Sequence, residues 1–268
     1  MQIFSRFLGI FDWTRDGSAS PGRRVAVLAA LLILGLALVG PVQAAPQLAE
    51  RTQLAERIVA QMERRSAFYR ILFEDHPQER ARFIRALEEA RRFGGRESMQ
   101  VATVAFGSHM GRRYFPYYYT RTSEAAVLGY ARVMRDTLSV LRAGSHADCY
   151  DYLAGTPDDQ LRVSRALSAE EQGRMLMVMT AVVVGSRRTE RQAKAGSKPD
   201  PNASRAALNA VVARLAERLG GENLVQWKPG LKGEDQKKAC DFAIAFFEET
   251  LKAPRREGVL VLRAVFGE

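Results

Sequence analysis

Histidine, cysteine and tryptophan are scarce in this chain of 268 residues, which has three, two and two of them. A structural zinc site needs three or four ligands, and the histidines (His76, His109 and His146) show no ligand-like spacing. The sequence also lacks a P-loop, a G-x-G-x-x-G turn, a G-x-S-x-G elbow, an H-E-x-x-H helix and an EF-hand loop. We therefore assign no catalytic residue, no metal and no cofactor from sequence.

Acidic residues are outnumbered: 30 Asp and Glu face 40 Lys and Arg, so the formal net charge is +10. A basic protein favours an anionic neighbour, whether lipid headgroup, nucleic acid or cell-wall polymer. The alternative explanation is a compositional bias, because the arginines are interspersed with Glu and Asp at helical spacing in an alanine-rich chain. Both explanations stay open at this point.

Long apolar runs are absent apart from residues 25–40, a stretch of 16 residues without a charge that follows Arg23 and Arg24. As a cleaved signal peptide it would end at Ala44, with small residues at the positions that a signal peptidase reads. As a retained anchor over residues 25–44 it is slightly short, since its helix through Val42 would span about 27 Å of a hydrocarbon core of roughly 30 Å.

The preceding segment, residues 1–24, favours the retained anchor. An apolar stripe at i, i+3, i+4 and i+7 (Phe4, Phe7, Leu8 and Phe11) is typical of a short helix in the membrane interface. Basic residues flank only the N-terminal side of the run, so we expect a cytoplasmic N-terminus and a C-terminal domain outside the cytoplasmic membrane. The domain would be periplasmic in a cell with an outer membrane, and secreted if the leader is cleaved after Ala44.

Helical periodicity dominates from Gln47 onward, which predicts an all-α protein: an irregular bundle of about eight to ten helices behind the N-terminal membrane helix. Residues 45–185 form the first part, residues 186–201 a polar linker with two prolines, and residues 202–268 a helical segment that packs on the first part. Residues 175–184 are apolar on every face, so we expect them in the central helix. Residues 259–262 fit either a strand or a helix.

Several signals set the ends of these helices. Residues 48–75 are expected to form one helix that stops before Pro77, and Gly94-Gly95 is expected to end the next. Thr122 or Ser123 is the predicted N-cap of a long helix. Three hydroxyl residues, each with an acidic residue three positions later, predict capped helices (Ser145 with Asp148, Thr156 with Asp159, Ser168 with Glu171).

The cysteine count is even, and both cysteines would lie outside the reducing cytoplasm. This combination predicts a disulfide between Cys149 and Cys240, with two buried free thiols as the alternative. His146 lies three residues before Cys149, so a Cys–His nucleophile pair can be drawn there. That arrangement has no specific signature, and a solvated histidine after an N-cap is the ordinary outcome.

The aromatic and basic stretch at residues 112–119 is the candidate binding surface. Such residues stack on bases, sugars or lipid headgroups, although the rings would equally suit a connection folded back over the bundle. The candidate residues are Arg112, Arg113, Tyr114, Tyr117, Tyr118 and Tyr119.

The absence of catalytic motifs and the expected topology together favour a non-enzymatic envelope module. Its expected partners are the cytoplasmic membrane, through the N-terminal helix, and an envelope protein or an anionic envelope component. The alternative is a helical hydrolase acting on cell wall or lipid, which would need a carboxylate in a deep groove. Nucleic-acid binding would require a cytoplasmic address, which the leader contradicts.

Overall fold

The computed structural model describes residues 48–192, 200–221 and 230–267. These residues form eleven helices and no strand, which confirms the all-α prediction with one helix more than the upper estimate. The helices are α1 (Leu48–Arg65), α2 (Ala67–Asp75), α3 (Pro77–Arg113), α4 (Phe115–Arg121), α5 (Glu124–Gly144), α6 (His146–Ala154), α7 (Pro157–Ala166), α8 (Ala169–Gln192), α9 (Pro201–Leu219), α10 (Glu234–Lys252) and α11 (Arg255–Phe266).

The predictions for the apolar run and the N-terminal stripe, residues 1–47, lie outside the described residues. Among the helices of the described part, none is both long enough and apolar enough to span a bilayer. Residues 193–199 of the expected linker also lie outside the described residues. The first part of the expected linker, residues 186–192, is helical, because α8 continues through Gln192.

The predicted helix starts are present in the structure. The hydroxyl of Ser123 accepts a hydrogen bond from the backbone N–H of Ala126 at 3.3 Å. In α7, Thr156 and Asp159 form both bonds of a capping box, and Ser168 and Glu171 exchange the same two bonds at the start of α8.

Helix α3 is a hairpin of two arms, residues 77–94 and 96–113, folded at Gly95. Gly95 has φ 67° and ψ −143°, a conformation outside the helical region that L side chains rarely adopt. The arms lie antiparallel, because the rings of Phe83 and Phe106 stack with their centroids 4.2 Å apart. The Gly94-Gly95 stop predicted from sequence is therefore where the chain reverses.

Three helices differ from the expectations. The expected helix over residues 48–75 is broken at Ser66, which is extended (φ −138°, ψ 120°). The stretch expected to be a connection contains a helix, α4. Residues 259–262 are helical within α11, which is one of the two alternatives left open for them. Helix α8 buries only one face, with Met175 and Met179 inside, whereas Met177 is 64% exposed.

One large core joins the helices before and after residues 193–199. Helix α10 packs on α5 and α6, and α9 packs on α11, which also contacts α5. The ring of Phe247 in α10 stacks on that of Phe266 in α11, and Phe266 meets Tyr119 of α4 edge-on. The C-terminal helices therefore complete the same core that the N-terminal helices begin.

Candidate functional site

A cluster of polar side chains occupies the open end of the α3 hairpin, where α2 ends and α3 begins. We call it the base cluster; its members are Asp75, His76, Glu79, His109, Tyr114, Tyr118 and Arg187. Pro77 at the first position of α3 sets this junction, since its fixed φ suits a helix start and its missing N–H is not needed there. The hairpin then returns the second arm and α4 to the same place.

Glu79 is the most buried acid of the base cluster, with its side chain 4% exposed. The phenol of Tyr114 donates a hydrogen bond to its Oε1 at 2.8 Å, and Nε2 of His109 lies 3.2 Å from its Oε2. Desolvation raises the pKa of Glu79, but the hydrogen bonds from Tyr114 and His109 outweigh it, so its pKa lies below the ordinary value. Glu79 is therefore an ionised, partnered carboxylate.

Asp75 is held in the same way from two other helices. The phenol of Tyr118 donates to its Oδ2 at 2.7 Å, and the guanidinium of Arg187 in α8 contacts both carboxylate oxygens. Arg187 also reaches Oε2 of Glu74 at 2.7 Å and the backbone oxygen of Ile71 at 3.3 Å. Desolvation raises the pKa of Asp75, but hydrogen bonds from Arg187 and Tyr118 outweigh it and lower the pKa overall.

His76 lies between these two acids. Its ring stacks on that of Tyr114 with centroids 3.8 Å apart, and its Nε2 is 3.2 Å from the hydroxyl of Tyr118. Desolvation lowers the pKa of His76 below its ordinary value, although Asp75 and Glu79 act in the opposite direction. The lowered pKa favours a neutral imidazole, and because the phenol proton of Tyr118 goes to Asp75, Nε2 of His76 is placed to donate to the Tyr118 oxygen.

The base cluster joins α2, both arms of α3, α4 and α8 through charge-assisted hydrogen bonds. A general acid needs a carboxyl whose pKa is raised toward neutrality, whereas both acids here have lowered pKa values and donors in place. The arrangement is therefore suited to fixing the relative positions of five chain segments rather than to general-acid catalysis.

The six candidate residues of the predicted binding surface divide between the interior and the surface. Tyr118 and Tyr119 are 2% and 0% exposed, so these two rings belong to the core and do not form an outer surface. Tyr114 is half-buried over His76, and Arg112 is half-buried, which lowers its pKa by desolvation. Arg113 and Tyr117 are exposed.

The burial follows from α4, which the sequence did not predict. A helix places residues three and four apart on one side, so Phe115, Tyr118 and Tyr119 turn inward together while Tyr117 turns outward. Phe115 and Tyr119 pack against Tyr130 of α5 with ring centroids 5.1 and 5.4 Å away.

The exposed residues Tyr117 and Arg121 of α4 come shortly before Ser123, which lines a groove. The guanidinium of Arg121 lies over the ring of Tyr117, 3.9 Å from its centroid. The next residue, Thr122, precedes α5 and lies close to α8, because a Cβ at Gly185 of α8 would collide with the hydroxyl of Thr122. The groove between these helices has a volume of about 410 Å³ and is lined by Ser123, Ala125, Ala126, Gly129, Val178, Ala181, Val184, Gly185 and Arg188.

The predicted disulfide is present. Cys149 of α6 and Cys240 of α10 are bonded with a Cα–Cα distance of 5.7 Å, and both residues are fully buried. Cys149 consequently has no free thiol, so the Cys–His nucleophile pair that could be drawn with His146 does not exist in this structure.

No group of three or more potential metal-ligating side chains is assembled in the described residues. The groove between α5 and α8 is lined by no Asp, Glu or His, and neither is a smaller cleft of about 250 Å³ lined by Arg132, Leu251 and Arg255 among others. These two clefts therefore offer a ligand small and apolar side chains together with arginines.

Sequence reasoning missed the base cluster. His76 and His109 are 33 positions apart and look unrelated in the sequence. A chain reversal at Gly94-Gly95 brings together residues that lie at similar distances before and after the turn, as it does for Glu79 and His109. The two glycines between amphipathic segments of similar length were the available signal. No sequence signal pointed to Arg187, because this residue comes from a helix more than a hundred residues after Asp75.

Comparison with known proteins returns no match to a family model, to a curated protein or to a solved structure.

Proposed function

We propose that this protein is a membrane-anchored, extracytoplasmic helical module that acts by binding a partner rather than by catalysis. The observation that carries the proposal is the Cys149–Cys240 bond. Disulfides persist in oxidising compartments and are rare in the cytosol, so the bond supports the address deduced from the apolar run and its flanking arginines.

The binding surface of this proposal is the groove between α5 and α8 together with Tyr117, Arg121 and Arg188 beside it. Its walls are small residues, which allow close approach of a partner's backbone or side chains, and its rim is basic and aromatic. Tyrosine and arginine are enriched at binding hot spots. An envelope protein or another anionic envelope component is the partner that suits this combination.

The alternative, a helical hydrolase, has less support. Glycan or ester cleavage needs a carboxylate or an activated nucleophile facing substrate, and neither cleft described above presents one. The two acids of the base cluster, the buried Glu79 and the exposed Asp75, are ionised and partnered, which is the opposite of a general acid's requirement.

Topology is the first test. A reporter that is active only outside the cytoplasm, fused after Glu268 of the full chain, should be active, and a fusion from which residues 1–44 are deleted should not. Activity of a cytoplasm-specific reporter at the same position would refute the extracytoplasmic address.

The surface is tested separately by photo-crosslinking in cells. A benzophenone amino acid in place of Tyr117 should give a discrete adduct, whereas the same probe in place of Val140, which is similarly exposed at 42%, should not. Equal adduct patterns at the two positions would count against this surface.

A further inference from the structure

The turn of the α3 hairpin carries the most exposed phenylalanine of the described residues. Phe93 is 77% exposed and comes directly before Gly94-Gly95. Arg91, Arg92 and Arg96 surround it in sequence, and within the described part of the chain these three arginines make no ion pair. We call residues 91–96 the hairpin tip.

Within the tip every charged residue is an arginine, and the nearest acids in sequence are Glu88 and Glu89 before it and Glu97 after it. Arg165 of α7 lies 3.8 Å from the Glu97 carboxylate and also contacts Gln100 at 2.5 Å. Arg165 thus adds a fourth arginine near the tip. An exposed aromatic ring among arginines is the composition that enters the headgroup region of anionic bilayers.

One ion pair between α1 and α3 relates the tip to the start of α1. Helix α1 packs on α3, and Glu63 near the end of α1 pairs with Arg80 near the start of α3 at 2.9 Å, which is the pairing expected if α1 and the first arm lie antiparallel. Going back from Glu63 to Leu48 covers about 22 Å of helix, and going forward from Arg80 to Phe93 covers about 20 Å. With the two helices antiparallel over this length, the start of α1 would be level with the tip.

The length of the intervening chain limits how far this end can be from a bilayer. Seven residues separate Gly40, the end of the apolar run, from Leu48, and seven residues span at most about 25 Å when fully extended. If residues 25–40 are anchored, the end of the domain with the tip faces the membrane, and the end with Tyr117 faces away from it.

We propose that the hairpin tip is a second membrane contact, in which Phe93 enters the interfacial region of a bilayer while Arg91, Arg92 and Arg96 bind anionic lipid headgroups. This inference rests on the proposed anchoring by residues 25–44. It gives the domain two attachment points and thus a fixed orientation, with the groove between α5 and α8 held away from the lipid for its partner.

The experiment uses the full chain in vesicles of phosphatidylcholine with or without phosphatidylglycerol, with lipids brominated near the headgroup as fluorescence quenchers. Phe93→Trp should add emission that the brominated anionic vesicles quench strongly and that brominated zwitterionic vesicles quench weakly. Tyr117→Trp is the matched control, an exposed aromatic position at the far end of the hairpin, and its added emission should stay unquenched.

The charge requirement is tested by substituting the three arginines. Each basic residue near an anionic surface changes membrane association about fivefold, so Arg91→Gln/Arg92→Gln/Arg96→Gln in the Phe93→Trp chain should abolish most of the quenching. Arg113→Gln, at the base, should leave it unchanged. Equal quenching with and without the three arginines would overturn the proposed role of the headgroups.

Flotation of the wild-type chain with vesicles separates failure of the anchor from failure of the tip. A chain that floats after alkaline carbonate extraction but shows no quenching at position 93 keeps the anchor and overturns the tip contact. A chain that does not float overturns the anchor and the tip contact with it.

Discussion

The phenol of Tyr118 lies 2.7 Å from Oδ2 of Asp75, two residues that are separated by 43 positions in sequence. Desolvation and the hydrogen bond to Asp75 raise the pKa of Tyr118 far above its ordinary value, so the phenol keeps its proton and donates throughout the physiological range. Because Asp75 also holds Arg187, this bond couples α4 to α2 and, through the arginine, to α8.

We expect Tyr118→Phe to lower the free energy of unfolding by about 1.5 kcal/mol, since a hydrogen bond to a charged group contributes about this much. Urea unfolding followed by circular dichroism measures the change. Tyr117→Phe, which removes an exposed hydroxyl from the neighbouring position, should have little effect. Equal unfolding curves for wild type and Tyr118→Phe would contradict the role given to the bond.

Acid should destabilise the protein in two stages. The pKa of His76 is lowered in the folded state, so its stabilising contribution is complete above the unfolded value of about 6.5 and is lost as the pH falls toward the folded pKa. The pKa values of Asp75 and Glu79 are also lowered, so their contributions are complete above the unfolded values of about 4 and are lost below them.

His76→Gln should therefore flatten the first stage and keep the second, as measured by denaturant midpoints from pH 7 to pH 3. The matched control is His146→Gln, in α6 outside the base cluster, which should keep both stages. A first stage that survives in His76→Gln would assign it to another group.

Loss of the disulfide should be the largest single effect. The bond joins residues 91 positions apart, and closing a loop of that size stabilises by about 4–5 kcal/mol on the chain-entropy estimate. Cys149→Ser/Cys240→Ser should unfold at a correspondingly lower temperature than the oxidised wild type. Unchanged mobility of the wild-type chain between reducing and non-reducing gels would show that the bond does not form.

Gly95→Ala tests the reversal of α3. Space is open around a Cβ at this position, so the expected loss of about 1–3 kcal/mol comes from the backbone conformation alone. Gly129→Ala in α5 is the control with equally open space but helical backbone, and it should stabilise by about 0.5–1 kcal/mol. Relative to wild type, the melting temperature of Gly95→Ala should fall and that of Gly129→Ala should rise. Shifts of the two melting temperatures in the same direction would refute the backbone conformation assigned to Gly95.

Local signals predicted the helix starts well and the tertiary arrangement only in part. Ser123, Thr156 and Ser168 act through residues within three positions, so the sequence contains the whole interaction. The exposed face of α8 could not be foreseen, because Met177 and Met179 look alike in sequence and only the packing of other helices separates them. The inward turn of Tyr118 and Tyr119 likewise depends on α4, a helix too short to show periodicity.

The disulfide makes the stretch from Cys149 to Cys240 a closed covalent ring within the chain. A protease that cuts the backbone once anywhere in this ring leaves a nicked protein of unchanged mass apart from one added water, and the C-terminal helices stay tethered to everything before the cut. Once the nicked protein is unfolded, only a reductant would then release them. A single cut within the ring therefore does not separate the chain on a non-reducing gel, whereas a reducing gel shows two fragments.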